Sequence, residues 1–470
     1  MNHPAKKVIP IQVSDDELVS LYQSSKKIYP RSVTGRFTNW RWAFVWLTQL
    51  VFYGLPWIQW GERQMVLFDL EARRFYIFGL VLYPQDFIYL TGLLVISALS
   101  LFLFTAVAGR LWCGYACPQT VYTEIFLWIE RQIEGDRSAR MRLDDDQFSL
   151  EKLVKKWYKH LVWLGFSIWT GFTFVGYFTP IRELGMEFFT TRMTSWEVFW
   201  VLFYGFATYG NAGFMREQVC KYMCPYARFQ SAMFDQDTLI VSYEEARGEP
   251  RGKRTKVDAA ATTGDCIDCT LCVQVCPTGI DIRNGLQYEC IGCGACVDVC
   301  DTVMDKVGLP RGLVRYDTQR AVQSGHRESI WSHILRPRVL VYSAILGVLS
   351  LAMVVSLGLR KPMKVDIVRD RATLARITEH GMLQNVYQLQ LMNASEDAHT
   401  YTISVRGLDQ IELHKNAEFE VGPTQSRWVV LQVNIPYGSA ASGSHKIWFD
   451  IQLKDSDVKV SESSVFLVPR

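Results

Sequence analysis

Eight cysteines in two closely spaced runs constrain this chain more than any other feature. The first run is Cys266-x2-Cys269-x2-Cys272-x3-Cys276, and the second is Cys290-x2-Cys293-x2-Cys296-x3-Cys300. Runs of this spacing hold 4Fe-4S clusters, and in proteins with two such clusters the fourth cysteine of each run binds the other cluster. The spacing therefore predicts a segment built around two 4Fe-4S clusters.

Cross-ligation of this kind assigns every ligand. One cluster is expected to bind Cys266, Cys269, Cys272 and Cys300, and the other Cys290, Cys293, Cys296 and Cys276. Zinc is the alternative occupant, but zinc sites favour separated cysteine pairs over consecutive triplets. We expect residues 235–337 to form an inserted two-cluster bacterial ferredoxin-like α+β domain.

The other four cysteines form two Cys-x3-Cys-Pro motifs. Cys113 and Cys117 lie in GRLWCGYACPQTVYTEIF, and Cys220 and Cys224 lie in REQVCKYMCPYARFQSAMF. On a helix, residues four apart share one face, and a parallel repeat would bring both pairs to one depth. Four thiolates could hold Cu(I) or a further iron-sulfur centre. The alternative is an unliganded dithiol or small buried side chains.

Five stretches are long and apolar enough for a helix that crosses a bilayer, which needs about 20 residues. They cover residues 42–60, 86–109, 160–179, 195–214 and 339–358. A buried helix of a soluble protein is the alternative for any one of them. We expect an α-helical transmembrane bundle of about five helices, four within residues 42–234 and the fifth within 338–360.

The distribution of Lys and Arg predicts the orientation. These residues crowd segments 1–41, 110–159, 216–256 and 327–338, whereas 61–85 and 180–194 carry few. The positive-inside rule then places the N-terminal segment 1–41 and the ferredoxin-like domain in the cytoplasm and the C-terminal part in the periplasm. The formal net charge of +3 gives no indication of a nucleic-acid partner.

Residues 361–470 alternate apolar and polar side chains in short runs such as VYQLQLMN, RWVVLQVNI and KIWFDIQL. Turn-forming stretches such as NASEDA and PYGSAASGS separate them. This pattern predicts an all-β sandwich of the immunoglobulin-like class. The segment has no cysteine.

Several familiar nucleotide and hydrolase motifs are missing from the sequence. It has no dinucleotide-binding glycine motif after a strand, no Walker A loop and no nucleophile elbow. Electrons are therefore expected from an unidentified donor, either a protein partner or quinol.

The ordered motifs resemble one family, the cytochrome c oxidase accessory protein CcoG family, also called FixG or RdxA. The specific stretches are WCGYACPQTVYTE, CKYMCPYARFQSAMFD and CTLCVQVCPTGIDIRNGLQYECIGCGACVDVCD. The resemblance implies a multi-pass protein of the bacterial inner membrane, with the lipid bilayer around it, that acts in assembly of the cbb-type haem-copper oxidase. It further implies cupric reductase activity, with oxidase subunits or copper-delivery factors as partners.

Two other functions stay open. One is a respiratory subunit that passes quinol or ferredoxin electrons to a periplasmic reductase. The other is an assembly scaffold whose clusters have no redox role. The sequence also leaves homo-oligomerisation open.

Overall fold

The computed structural model describes residues 27–252, 264–325, 335–370, 375–378, 381–414, 418–454 and 456–469. Most of the predicted N-terminal segment, residues 1–26, lies outside the described residues. The described helices are α1 (Arg36–Gly54), α2 (Phe87–Ala108), α3 (Leu111–Tyr115), α4 (Pro118–Glu134), α5 (Arg137–Asp145), α6 (Leu150–Val175), α7 (Ile181–Thr190), α8 (Ser195–Gly210), α9 (Pro225–Met233), α10 (Glu245–Gly248), α11 (Leu271–Gln274), α12 (Ala295–Val307), α13 (Gln319–Ser324) and α14 (Pro337–Gly358). Wider π-helical turns follow α8 at Asn211–Met215 and Val219–Met223.

The strands divide into an early set, a central pair and a C-terminal set. The early and central strands are β1 (Gln59–Trp60), β2 (Arg63–Gln64), β3 (Val66–Asp69), β4 (Arg74–Ile77), β5 (Leu80–Leu82), β6 (Leu239–Tyr243) and β7 (Val314–Thr318). The C-terminal strands are β8 (Met363–Arg369), β9 (Arg376–Ile377), β10 (Met382–Asn393), β11 (His399–Arg406), β12 (Glu412–Leu413), β13 (Glu418–Val421), β14 (Ser426–Pro436), β15 (Gly443–Leu453) and β16 (Lys459–Val468).

Helices occupy all five positions where the sequence predicts membrane spans. Within the described residues, two of them are long and apolar enough to cross a bilayer, Pro84–Ala108 and Pro337–Gly358, and almost none of their apolar residues is buried. The first predicted span begins earlier than expected and ends at Gly54, because a 3-10 turn containing Pro56 follows. Membrane crossing stays a prediction for α1, α6 and α8 as well as for these two apolar helices.

The cysteine runs lie in a small α+β unit. Strands β6 and β7 pair antiparallel, and α12 packs beside them over a core that includes Val241, Met304 and Leu313. Asp298, in α12, accepts hydrogen bonds from the backbone N–H groups of Phe37 (3.1 Å) and Thr38 (2.7 Å). Since these are unpaired N–H groups of the first turn of α1, the Asp298 carboxylate fixes that helix to the cluster-bearing unit.

A buried ionic network joins α4, α5 and α6 to the segment before the second cysteine pair. The Glu130 carboxylate lies 3.0 Å from Arg216, 3.2 Å from Arg140 and 3.6 Å from Lys159. Burial alone would raise the pKa of Glu130, but the positive charge of Arg216, followed by those of Lys159 and Arg140, outweighs burial and holds that pKa below its usual value. The network keeps these elements in one arrangement beside the cysteines.

The C-terminal strands form two antiparallel sheets that enclose one apolar core. One sheet has the order β12-β14-β10-β8 with β9 beside β10, and the other has the order β13-β11-β15-β16. The core includes Tyr387, Leu389, Ile403, Phe449 and Phe466. The predicted β-sandwich is therefore confirmed.

Strands β3, β4 and β5 form an antiparallel meander that the sequence did not predict. Leu67, Tyr76 and Val81 of this meander pack with Met392 of the sandwich. The Tyr83 hydroxyl also donates to the carbonyl oxygen of Asn393 at 2.8 Å. The loop between α1 and α2 therefore lies on the sandwich.

Asp86 joins three parts of the chain at this junction. Its buried carboxylate, at the start of α2, lies 2.6 Å from Arg360 after α14 and also contacts Lys364 of β8. Breaking a buried ion pair from one side leaves uncompensated charge, which is strongly destabilising.

We expect Asp86→Asn to destabilise this junction by about 3–5 kcal/mol, because Arg360 and Lys364 would both lose their counter-charge. The measurement is thermal unfolding of the purified protein in detergent. Glu418→Gln is the control, since it breaks the exposed Glu418–Lys454 pair, for which about 0–1 kcal/mol is typical. Equal midpoints for the two variants would contradict the assigned role of Asp86.

Candidate metal centres

The eight cysteines of the two runs line two neighbouring cavities. The first cavity is lined by Cys266, Cys269, Cys272 and Cys300. Tyr243, Leu313 and Val303 also line it. The fourth cysteine comes from the second run, because α12 carries Cys300 back over the first run. This is the set of residues that the spacing predicts for one cluster.

The second cavity contains the other predicted set. It is lined by Cys276, Cys290, Cys293 and Cys296, with Cys272 at its edge and Ile280, Ile282 and Ile291 around them. Cys276 comes from the first run, so the crossing occurs in both directions. Since Cys272 lines both cavities, the two sites are neighbours.

The loop around the second cavity offers backbone donors to sulfur. The Gly292 N–H lies 3.4 Å from the Cys290 sulfur and donates to it, and Gly292 and Gly294 both have positive φ values of 63° and 73°. A side chain is strained in this left-handed region, so glycine lets the backbone fold closely around the sulfurs. Burial raises the pKa of the Cys290 thiol to about 12, so the free thiol keeps its proton at neutral pH. Since a metal ligand has to be a thiolate, metal binding would release that proton.

The second member of each Cys-x3-Cys-Pro pair does not lie on a continuous helix face, which corrects the sequence interpretation. Cys113 lies in α3, but Cys117 is extended with φ −61° and ψ 128° and precedes α4. Cys220 lies in a π-helical turn, and Cys224 is extended before α9. The reason is that Pro118 and Pro225 disfavour a helical conformation in the residue before them.

The two pairs nevertheless lie together. Cys113 and Cys117 both interact electrostatically with Cys220 or Cys224, and Cys220 interacts with Cys117 and Cys224. Burial, followed by the charge of Cys117, raises the pKa of Cys113 to about 12, and the same two effects raise the pKa of Cys220 to about 11. Without a metal, both thiols therefore keep their protons at neutral pH.

Across the described part of the chain, no three His, Cys, Asp or Glu side chains converge closely enough to hold a single metal ion. This applies to the cysteine runs as well as to the Cys-x3-Cys-Pro pairs. A 4Fe-4S cube holds its ligands farther apart than a single ion does, and two four-thiol cavities with apolar walls suit that group. The lining of the two cavities therefore suits a 4Fe-4S cluster in each.

The first Cys-x3-Cys-Pro pair packs directly on the loop of residues 290–293. A Cβ atom placed on Gly114 would lie 2.8 Å from the carbonyl oxygen of Ile291 and 2.9 Å from the Cα atom of Cys293. Cys113 also packs against the apolar cluster that contains Cys293 and Ile291. The α3 backbone and the second cavity are thus in contact with no side chain between them.

Two buried arginines flank this contact, and the sequence interpretation missed both. Arg110 donates to the carbonyl oxygens of Tyr288, Cys290 and Ala227, so it ties the cluster loop to α9. Arg41 pairs with Glu124 at 2.6 Å, and its charge also interacts with Cys293. Arg110 stands three residues before Cys113 in the motif, which is the one signal that could have identified it.

Met223 and His160 carry side chains of types that bind metals. The side chain of Met223, between Cys220 and Cys224, is 57% exposed. His160, at the predicted start of the third apolar stretch, has its Nδ1 atom 2.9 Å from the Tyr209 hydroxyl and stacks on Phe214. His160 is thus a hydrogen-bonded residue between helices.

Family models match three parts of the chain. A 4Fe-4S dicluster domain matches residues 215–319, a 4Fe-4S binding domain matches residues 90–134, and an IG-like fold at the C-terminal of FixG matches residues 353–469. The dicluster match covers both cysteine runs and the Cys220/Cys224 pair, and the 4Fe-4S binding match covers Cys113 and Cys117. The chain therefore has iron-sulfur domains and an immunoglobulin-like C-terminal domain.

Relatives match most of the chain. RdxB of Cereibacter sphaeroides is 41% identical over 401 residues, which are 83% of this chain and 84% of that protein. The nitrogen fixation protein FixG of Rhizobium meliloti is 38% identical, over 83% of this chain and 80% of that protein. RdxA of Cereibacter sphaeroides is also 38% identical, over 89% of this chain and 91% of that protein.

Among solved structures, a FixG-related protein from Vibrio parahaemolyticus is 20% identical with a TM-score of 0.22, and it covers 23% of this chain and 97% of its own. The identities and coverage of the relatives, together with the FixG C-terminal domain, are what define the family. On those grounds the chain belongs to the FixG/RdxA family of iron-sulfur proteins.

Proposed function

We propose that this protein is a membrane electron-transfer protein that reduces Cu(II) to Cu(I) for assembly of the cbb-type haem-copper oxidase. One observation carries the proposal, namely the direct packing of the Cys113–Gly114 turn on the 290–293 loop. That contact sets four cysteines able to bind soft metal beside a site able to deliver an electron. The electron would reach the metal without crossing solvent.

The ligand sets follow the crossed pattern. The first cluster would be held by Cys266, Cys269, Cys272 and Cys300, and the second by Cys290, Cys293, Cys296 and Cys276. The composition of the two cavities supports this assignment. When bound, the clusters store single electrons and pass them on. Arg41 and Arg110 place positive charge beside the second site, which favours the more negative, reduced state there.

Copper is the substrate at the Cys-x3-Cys-Pro pairs. Thiolate ligands favour Cu(I) over Cu(II), so binding at Cys113, Cys117, Cys220 and Cys224 would itself promote the reduction. Each Cu(II) takes one electron and the second cluster loses one. Among the described residues these thiols do not converge on one point, so copper binding requires them to move closer together.

The exposed surfaces of α1 and α8 support a membrane location for these helices as well as for the apolar α2 and α14. α1 and α8 turn large side chains outward, with Trp46 62%, Leu50 66%, Trp196 71% and Phe206 60% exposed. Outward apolar faces of this size mark contact with lipid or with a partner. The β-meander packs on the sandwich, as a shared periplasmic side requires. Arg216, from a basic segment next to the second cysteine pair, contacts Glu130 of α4, as a cytoplasmic side for the cysteine sites requires.

Crossed ligation predicts which variants share a phenotype. Cys276→Ser should remove the same cluster signal as Cys290→Ser, and Cys300→Ser the same signal as Cys266→Ser, each with iron falling from about eight to about four per chain. Electron paramagnetic resonance of the anaerobically purified, reduced protein distinguishes the two signals. If Cys276→Ser instead removes the signal lost in Cys266→Ser, each run holds its own cluster.

Iron analysis of the same wild-type samples also tests the alternative for the Cys-x3-Cys-Pro pairs. About eight irons per chain leave those cysteines free for copper, whereas about twelve would mean that they hold a third 4Fe-4S centre. The second result would contradict the proposed copper site.

The copper step predicts a loss confined to the Cys-x3-Cys-Pro pairs. Cys113→Ala/Cys220→Ala should slow Cu(II) reduction by at least about tenfold with both clusters retained, since ligand loss weakens metal sites by this order or more. Cu(I) is measured with a chromogenic chelator after chemical reduction of the protein. Trp112→Phe, which changes a partly exposed neighbour of Cys113, is the control and should keep the wild-type rate.

Wild-type rates in the double cysteine variant would contradict copper handling at these pairs. A wild-type protein whose clusters are reduced but which forms no Cu(I) would favour the scaffold or the respiratory function instead.

A further inference from the structure

A fully buried glutamine of α9 contacts a sulfur of the first Cys-x3-Cys-Pro pair. The Cys113 thiol donates to the side-chain carbonyl oxygen of Gln230, with 3.3 Å between sulfur and oxygen. Gln230 is 0% exposed, so bulk water does not compete for this bond. Most side-chain hydrogen bonds in proteins go to backbone groups or to water. A buried amide bonded to a proposed copper ligand is therefore a specific arrangement.

The other end of the Gln230 amide is bonded to α2. Its nitrogen donates to the Thr105 hydroxyl at 3.3 Å. Thr105 in turn contacts the Tyr226 hydroxyl and donates to the carbonyl oxygen of Leu101 at 2.8 Å. Thr105 and Ala106 are the two buried residues of α2. The buried part of α2 thus includes the residue that holds the Gln230 amide.

These bonds give the Cys113 sulfur one preferred direction. A side chain of this length has three staggered orientations about its first bond, and the bond to Gln230 favours one of them. The amide cannot turn freely, because Thr105 holds its nitrogen. Side chains that bond to metal ligands orient those ligands in the same way.

The Gln230 amide can also bond to a sulfur that has bound metal. A thiol donates through its S–H group, whereas a thiolate only accepts. A half turn of the amide brings its N–H group to the sulfur and its oxygen to Thr105, whose hydroxyl can donate as well as accept. The Leu101 carbonyl oxygen would keep a donor, since the Tyr226 hydroxyl also donates to it at 3.2 Å. No buried polar group loses its partner in this exchange, which avoids a costly desolvation.

We propose that Gln230 is a positioning residue of the copper site, which orients the Cys113 sulfur in the free protein and donates an N–H group to it once Cu(I) is bound. This inference rests on the proposed copper function and adds a residue outside the cysteine motifs. When Cu(I) binds, the Cys113 S–H bond breaks, a bond from sulfur to Cu(I) forms, and the proton leaves to water. The step transfers no electron.

Infrared absorption of the anaerobic, full-length, cluster-containing protein tests the contact without copper. Cysteines that hold clusters are thiolates, so the S–H stretching region reports on the four cysteines of the Cys-x3-Cys-Pro pairs. Donation to oxygen weakens the S–H bond and lowers its stretching frequency. Gln230→Leu, which removes the amide at similar volume, should therefore move one band to higher frequency, and Cys113→Ala should remove that same band. An unshifted Cys113 band in Gln230→Leu would overturn the proposal.

Gln64→Leu is the matched control for the infrared measurement. Gln64 is also a buried glutamine, but its amide donates to the carbonyl oxygens of Val66 and Gly176. Its loss should leave every S–H band at the wild-type frequency. If both glutamine variants shift the Cys113 band equally, the shift reflects general loosening and the assigned role of Gln230 is wrong.

Cu(I) affinity separates this inference from the proposed function. Competition with a chromogenic chelator should show about 10–100-fold weaker Cu(I) binding in Gln230→Leu, which is the usual loss when the partner of a metal ligand is removed. Gln64→Leu should bind Cu(I) as wild type does. Thr105→Val, which frees the amide without touching Cys113, should also weaken binding, and it carries the test if Gln230→Leu loses its clusters.

The outcomes for the two proposals differ. Wild-type Cu(I) affinity in Gln230→Leu and Thr105→Val, with Cu(II) reduction by the wild type intact, would overturn the role of Gln230 and leave the copper function standing. Weaker Cu(I) binding in these variants, with a wild type that does not reduce Cu(II), would support the role of Gln230 and overturn the reductase function.

Discussion

The space between Gly114 and the 290–293 loop is too narrow for one additional carbon atom, since a Cβ there would approach backbone atoms of that loop to 2.8 Å. Cys113 stands at this contact on one side and Cys293 on the other. The two backbones are in direct contact there, so the first Cys-x3-Cys-Pro pair packs on the second cluster cavity. Arg110 strengthens this contact through its bonds to Cys290 and Ala227.

Contacts of α1 connect this region to other helices. Its first turn is held by Asp298 of α12, and its middle faces α4 and α6 across an apolar groove that Trp42 and Gln49 line. Helix α12 itself carries Cys300 to the first cavity. Helix α1 therefore connects α4 and α6 to the cluster-bearing unit, and the α3 turn connects that unit to the proposed copper site.

Local sequence signals predicted much of this arrangement. Cysteine spacing predicted both cavity sets because ligands within a run are only two or three residues apart. Alternation predicted most of the sandwich, because one face of each strand is buried in a single core. The apolar runs predicted where long helices lie, although hydropathy alone qualifies two of them as spans.

Contacts between distant parts of the chain could not be predicted in this way. The meander that includes Tyr76 has strands of three or four residues, and its packing on Met392 depends on a domain some 300 residues later. The spacing of four residues favours one helical face for each pair, whereas the prolines that follow hold Cys117 and Cys224 in an extended backbone. Arg41 and Arg110 look like ordinary flanking charges until the fold buries them.

The most direct test is a joint count of electrons and copper in a single anaerobic experiment. Fully reduced protein is mixed with Cu(II), and cluster absorbance and Cu(I) are followed together in a stopped-flow instrument. The account predicts one Cu(I) for each electron that the clusters lose, with both signals changing at the same rate. Clusters that reoxidise without forming Cu(I), or Cu(I) that forms while the clusters stay reduced, would contradict it.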